Sequence, residues 1–493
     1  MSSEQADKKQ PWPCSRILLA NDDNIRVYDV NDANWSGMIE HAASNCGRYA
    51  DVGFGHNSNE LLLFSDFGVK LTIWSLVTRH GVEIRDPKYM VRCYNHRPRS
   101  GHMAVLTRPY THDILMLLNP GDHGLIKSID LPTVDAEEVL WSPDGRWLAI
   151  RDTPSNGHKV LIYTADGHLF KIYSHDENTN DIGLGIKVLE WNPLHSIFAL
   201  GDYNDKVTIL SKNTVIHPQA IGSWVRLTLS QFSPIAKFHH PATITLPNVT
   251  IWQEQLDASK ARNYIVAPQP ANPPTSTSLM KADHPVHGIS ILAFNSDGDL
   301  LATKSDSMPT TVWIWSLQTG GVVAVLIHHS PVKHMSWHPT ESGLLLIHCA
   351  IPEPAVHLWK STWDVPQIVT LPLRRKSGRL EASWLISPTS SQFNLMLTST
   401  HQYITSLISS SGEVVPGAPG LSDGAQSRIV GAEDMFDEGN SLDLSPIKIT
   451  HDETLEVPDP FGDGDDCSGL GFGLNNEMVD DTFHYRRHIK ATS

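Results

Sequence analysis

Cysteine is scarce in this 493-residue chain: Cys14, Cys46, Cys93, Cys349 and Cys467 are odd in number, scattered, and form no Cys-x-x-Cys pair. That pattern argues against a disulfide framework or a structural zinc knuckle and for ordinary reduced thiols of a cytosolic protein. No apolar run approaches the roughly 20 residues that cross a bilayer. Residues 1–13 are polar, carry Lys8 and Lys9, and lack the apolar core of a secretory signal, so they read as a disordered leader. Basic residues are outnumbered, 38 Lys and Arg against 54 Asp and Glu, which removes the electrostatic footprint that nucleic-acid binding requires. Catalytic signatures are equally thin. The chain has no Gly-x-Ser-x-Gly elbow, no His-Glu-x-x-His pair and no Gly-x-x-x-x-Gly-Lys phosphate loop. These absences point away from an enzyme, a membrane protein and a nucleic-acid binder; no cofactor, metal ligand or catalytic residue is assigned.

What the chain does have is a repeat. Residues 139–149 read Val-Leu-Trp-Ser-Pro-Asp-Gly-Arg-Trp-Leu-Ala, a short apolar strand ending in an aromatic, a polar turn, and a second apolar strand. The shape returns around Trp191-Asn192-Pro193, around Phe294 to Gly298, around Trp337-His338-Pro339 and, more weakly, from Trp384 to Pro388. Asp and Gly suit such turns because Asp bonds its own backbone and Gly accepts positive φ. A third strand follows each copy, as in Val160 to Tyr163, Val207 to Leu210, Val312 to Trp315 and Val356 to Trp359. Equivalent aromatics lie 50 residues apart (Trp141 to Trp191) and 43 apart (Phe294 to Trp337). A period of roughly 40–50 residues with several strands per unit predicts an all-β, WD40-type β-propeller. A lone twisted four-stranded blade leaves both faces exposed, so blades stack radially and keep only short edges.

Counting units gives about eight, near residues 14–35, 45–78, 80–119, 125–166, 168–212, 285–318, 321–361 and 366–410, hence one propeller of seven or eight four-stranded blades spanning 14–410. The first unit lacks a turn-bearing strand. Either a strand from the far end completes it, or the blade needs residues that precede this sequence. Between the fifth and sixth units lies a long insertion, about 212–284, whose middle (266–278) is rich in Pro, Asn, Thr and Ser. Its flanks, 245–253 and 263–266, are expected to pair as an extra hairpin, and the insertion itself is either decoration or a partner contact. From 411 to 493 the composition predicts a disordered acidic tail. Residues 413–493 hold 17 acidic against 5 basic residues and so carry 12 of the chain's 16 net negative charges.

Candidate protein-binding residues come from two places. Arg92, Arg97, Arg99 and Arg108 gather with Tyr94 and Tyr110 in the third unit, either as a solvated rim or as a basic, aromatic dock for an acidic partner. In the tail, Phe436, Phe461 and Phe483 sit in acidic islands, which are either solvating or short linear motifs. Histidines at 328, 329, 334 and 338 read as repeat side chains rather than metal ligands, His338 filling the turn slot of Ser142 and Asn192. Asp202 and Asp306 are placed to accept N–H bonds from the next turn, and His96 and His102 are offered as hydrogen-bonding histidines.

The run Gly101 to Leu106, the strand Leu184 to Trp191, and Leu301 to Asp306 through Val312 to Trp315, with a long insertion before Ile289, resemble the WD repeat-containing protein eight family of centrosomal and spindle-pole-body proteins. The resemblance covers about residues 14–410; the incomplete first blade departs from it, and the acidic tail looks like a fungal version. It implies a non-enzymatic scaffold in the cytoplasm and cytoskeleton, at the microtubule-organising centre (spindle pole body or centrosome) of the mitotic spindle. The implied partners are a coiled-coil anchoring protein, a minus-end-directed kinesin that anchors microtubule minus ends and, as a further candidate, the gamma-tubulin complex, with neither nucleic acid nor membrane. The alternative is a substrate receptor of a cullin-type ubiquitin ligase or another generic WD-repeat scaffold. Such receptors carry Trp-Asp-x-Arg after the third strand, whereas Trp74, Trp315 and Trp359 are followed by Ser75-Leu76-Val77, Ser316-Leu317-Gln318 and Lys360-Ser361-Thr362.

Overall fold

The computed structural model describes residues 16–413 apart from 21–23, 30–31, 33, 41–48, 89–91, 175–182, 195–196, 214, 222–223, 259–260, 277–286, 352, 372–379, 386–392 and 399–402, together with 447–448 and 453–454. These residues are organised as eight mainly antiparallel sheets in chain order, the blades of a propeller, beside one two-stranded hairpin, with no α-helix among them. Blade 1 holds Arg16–Ala20, Asn24–Asp29 and Ser36–Glu40; blade 2 holds Tyr49–Phe54, Glu60–Ser65, Lys70–Ser75 and Gly81–Arg85. Blade 3 holds Tyr94–His96, Met103–Thr107, Ile114–Leu118 and Leu125–Asp130; blade 4 holds Glu138–Trp141, Trp147–Arg151, Lys159–Thr164 and Leu169–Ser174. Blade 5 holds Ile186–Trp191, Ile197–Asp202, Lys206–Ser211 and Ser233–His239; blade 6 is built on Ile289–Phe294, Leu300–Ser305, Thr311–Ser316 and Gly321–Ile327. Blade 7 holds Val332–Trp337, Leu344–Cys349, Ala355–Lys360 and Gln367–Thr370, and blade 8 holds Glu381–Leu385, Phe393–Thr398 and Tyr403–Ile408.

Burial explains why the repeat reads as it does. Second strands such as Glu60–Ser65 and Leu344–Cys349 are buried along their whole length, because a neighbouring blade covers each face. The outer strand Leu125–Asp130 alternates between half-buried and exposed, as a strand with one wet face must. Along Leu344–Cys349 the two-residue period sends Leu344 and Leu346 into the core shared with blade 8, and Leu345, Ile347 and Cys349 into the core shared with blade 6. Similar cores join blades 1 and 2, 2 to 4, 4 and 5, and 5 and 6. Each blade is stabilised by its neighbours.

The turns follow the expected chemistry. Gly145 and Gly298 both adopt φ of 68°. The residue after each central aromatic accepts a backbone N–H: Ser142 Oγ from Trp147 at 3.0 Å, Asn192 Oδ1 from Leu194 at 3.0 Å, Asn295 Oδ1 from Leu300 at 2.9 Å and His338 Nδ1 from Glu341 at 3.0 Å. His338 is thus a turn cap. Asp202 Oδ1 accepts the N–H groups of Asn204 and Lys206, each at 2.8 Å, whereas Asp306 instead pairs with Lys187 and Lys304, each at 2.6 Å.

Two departures from the sequence reading have simple causes. Units recognised from sequence end on the third strand, but the strand that follows completes the same sheet; Leu169–Ser174 closes blade 4 rather than opening the next. The fourth strand of blade 5, Ser233–His239, lies inside the stretch taken as insertion, beyond a separate hairpin of Val215–Ile221 and Trp224–Ser230. The expected extra hairpin is present as Thr250–Leu256 with Arg262–Val266, and it extends blade 6 by parallel pairing on Gly321–Ile327. In blade 1, Ile447–Lys448 joins from the far end, pairing with Gly37 and Met38 at the outer edge rather than in the inner, turn-bearing position.

Candidate functional site

Antiparallel order places the start of every first strand and the end of every second strand on one face, the face from which the inter-blade loops emerge. Between blades 7 and 8 that face opens into a cavity of about 860 Å³. Lys333 and His334 enter it from the first strand of blade 7, His348 and Cys349 from the second, and Glu381 from the first strand of blade 8; Leu380 and Met396 supply apolar wall. The hairpin register sets His334 directly opposite His348. Burial holds the His334 imidazole below its ordinary pKa, against the pull of the Glu381 carboxylate. A neutral imidazole, an ammonium and a carboxylate above apolar wall suit a side chain with an apolar body and a polar tip, the kind a partner protein inserts.

The proposed basic patch of the third unit is largely spent on holding blades together. Arg92 reaches Glu138 at 3.2 Å, on the first strand of blade 4. Arg97 donates to the carbonyl of Gly145 at 2.7 Å and lies over the Trp141 ring at 5.5 Å. Arg108 pairs with Asp135 at 2.6 Å and with Asp113 at 3.5 Å. Tyr94 stacks on Phe64 of blade 2 at 5.6 Å, and burial raises its hydroxyl pKa. Arg92, Arg99 and Tyr110 are the exposed members, Arg99 and Tyr110 each at a positive φ. Phe436, Phe461 and Phe483 lie outside the described residues.

The hydrogen-bonding histidine of the blades is neither His96 nor His102. His102 meets only the nearby Ser100 Oγ at 3.0 Å, and His96 is half-buried beside His56. His240 takes that role. Its Nε2 lies 2.7 Å from Thr303 Oγ1, which accepts Trp315 Nε1 at 2.9 Å, while Nδ1 faces the carbonyl of Asp205 at 2.9 Å. Burial lowers its pKa to about 4, so the neutral ring accepts from Thr303 and donates to Asp205. His240 was missed because it ends a strand concealed in the insertion. The cavity residues were missed because they belong to two blades; pairing the strands back from the His338 turn would have aligned His334 with His348.

With this geometry in place, the relatives are informative. No family model matches the chain. WD repeat-containing protein WRAP73 of Mus musculus is 27% identical over 344 residues, covering 65% of this chain and 69% of that protein. The similarity is to WD-repeat proteins. An uncharacterized WD repeat-containing protein of Schizosaccharomyces pombe, C32H8.09, is 25% identical over 384 residues, covering 73% of this chain and 71% of its own length. Among solved structures, Hsv2 of Kluyveromyces lactis overlays at 10% identity with a TM-score of 0.41, covering 75% of this chain and 98% of that one. The β-propeller domain of Cps50 (Swd1) from Myceliophteria thermophila gives 12% and 0.37, covering 68% and 90%. The WD-repeat propeller is therefore carried by the chain's own sheets and by these sequence relatives.

Proposed function

We propose that this WD-repeat propeller is a non-enzymatic scaffold that gathers proteins at the microtubule-organising centre. The observation that carries the word scaffold is the cavity between blades 7 and 8, on a face whose supporting blades are bound to one another by indole–carbonyl and arginine–carboxylate ties. Rigid blades present this surface with little ordering cost on binding. Holding two partners on one body raises their effective concentration for each other. The pole location, the coiled-coil anchoring protein and the minus-end-directed kinesin rest on the resemblance of residues 101–106, 184–191 and 301–315 to spindle-pole-body and centrosomal WD proteins. Proximity labelling from the tagged full chain in dividing cells tests this reading. Pole components and a coiled-coil anchor should dominate the labelled set. A set dominated by cullin-ligase subunits would replace the reading with the ligase-receptor alternative.

A further inference from the structure

The inserted hairpin Thr250–Leu256 and Arg262–Val266 brings polar side chains into a place where the repeat alone has an apolar core. Tyr264 is buried between blades 6 and 7. Its hydroxyl lies 2.9 Å from His328 Nδ1, at the end of blade 6, and 3.0 Å from His357 Nδ1, on the third strand of blade 7. Both imidazoles are almost wholly buried, and the Nε2 atom of each has no hydrogen-bond partner. Beside them stands the thiol of Cys349, buried at 1% exposure. One ligand atom from each of His328, Cys349 and His357 lies within 4.8 Å of the other two. The Glu254 carboxylate, brought by the same hairpin, is 4.0 Å from His357 Nε2 and is paired with Arg262 at 2.8 Å.

Buried polar nitrogens without partners are costly, and native structures rarely leave two of them in one side-chain cluster. Two imidazoles and a thiolate are the donor set of borderline, tetrahedral metal ions. We propose that His328, Cys349 and His357 bind one zinc-class divalent ion, with Glu254 as the neighbouring carboxylate. Tyr264 is the positioning residue. In the ion-bound site its oxygen would accept Nδ1–H from both rings through its two lone pairs, leaving both Nε2 lone pairs for the ion. The thiol proton is the one released to solvent, one per ion bound. Zinc, thiolate, the Glu254 carboxylate, the Arg262 guanidinium and the Glu353 carboxylate that Arg262 also holds, at 3.1 Å, then sum to zero charge.

The test uses the purified full chain, stripped with a chelator and then dialysed against Zn²⁺ or Co²⁺. About one ion per chain is expected, with a thiolate-to-cobalt charge-transfer band in the Co²⁺ form. Cys349→Ser should lose the band and the bound ion. Tyr264→Phe, which keeps every ligand, should bind about 10–100-fold more weakly. As a measurement that needs no variant, alkylation of Cys349 in partly denatured wild-type chain should slow when Zn²⁺ is present. A wild-type chain that takes up less than about a tenth of an ion and alkylates at the same rate with and without Zn²⁺ overturns the site. So does a folded Cys349→Ser chain that keeps the ion and the band. Pole labelling can fail without touching either result.

Discussion

The indole Nε1 of Trp191 donates a 3.1 Å hydrogen bond to the carbonyl of Leu140, one blade away. The relationship repeats: Trp337 donates to Ala293 at 2.8 Å and Trp384 to Ser336 at 3.1 Å. Each indole lies at or next to the end of a first strand, and each acceptor precedes the aromatic of the previous blade. These three tryptophans, which mark the repeat, therefore also fasten it. Replacing Trp191 by Phe keeps an aromatic ring, removes the donor and leaves part of the indole's buried volume empty. Each such change is expected to lower stability by about 1–3 kcal/mol. Trp191→Phe and Trp337→Phe, in separate cores, should add. Urea unfolding of the two single variants and the double variant measures this.

Tyr264→Phe should act locally. It leaves His328 and His357 without their shared partner at a cost of about 1–3 kcal/mol, and it loosens the hairpin rather than the blades. Hydrogen exchange should show faster amide exchange in Thr250–Leu256 and Arg262–Val266, with Leu344–Cys349 unchanged. Equal acceleration in both would mean that the hairpin is not separately held.

Glu190, on the first strand of blade 5, has its pKa raised to about 7 by burial and by the nearby Glu138 carboxylate, against the pull of Arg92. A carboxyl whose folded pKa is raised favours the folded state below its unfolded pKa, and that contribution is lost as pH rises through 7. Glu190→Gln should therefore melt at a higher temperature than wild type at pH 8, and the gap should close by pH 5. Melting curves across that range report it; a gap that widens on acidification would reverse the assignment.

The second strands were legible because burial on both faces makes them continuous apolar runs, and the first strands because each closes on an aromatic and a turn residue. The hairpin at 250–266 was legible from its flanks on either side of a turn. The outer strands were harder to read. Ser233–His239 faces solvent, carries Pro234 and Lys237, and follows an inserted hairpin, so nothing in its pattern assigns it to blade 5. Arg92, Arg97 and Arg108 looked like a patch because they are close in sequence, yet each reaches to blade 4 or the chain leading to it. The cavity depended on register across two blades: Lys333 and Glu381 stand 48 residues apart and line one cavity only because the first strands of successive blades lie side by side.

The most direct test of the scaffold account compares proteins labelled by the wild-type full chain with those labelled by Glu381→Arg, which reverses a cavity charge. Circular dichroism and the melting temperature establish that the variant is folded. The account predicts that at least one pole protein labelled by the wild type falls away while others remain. Identical labelled sets from two equally folded proteins would contradict it.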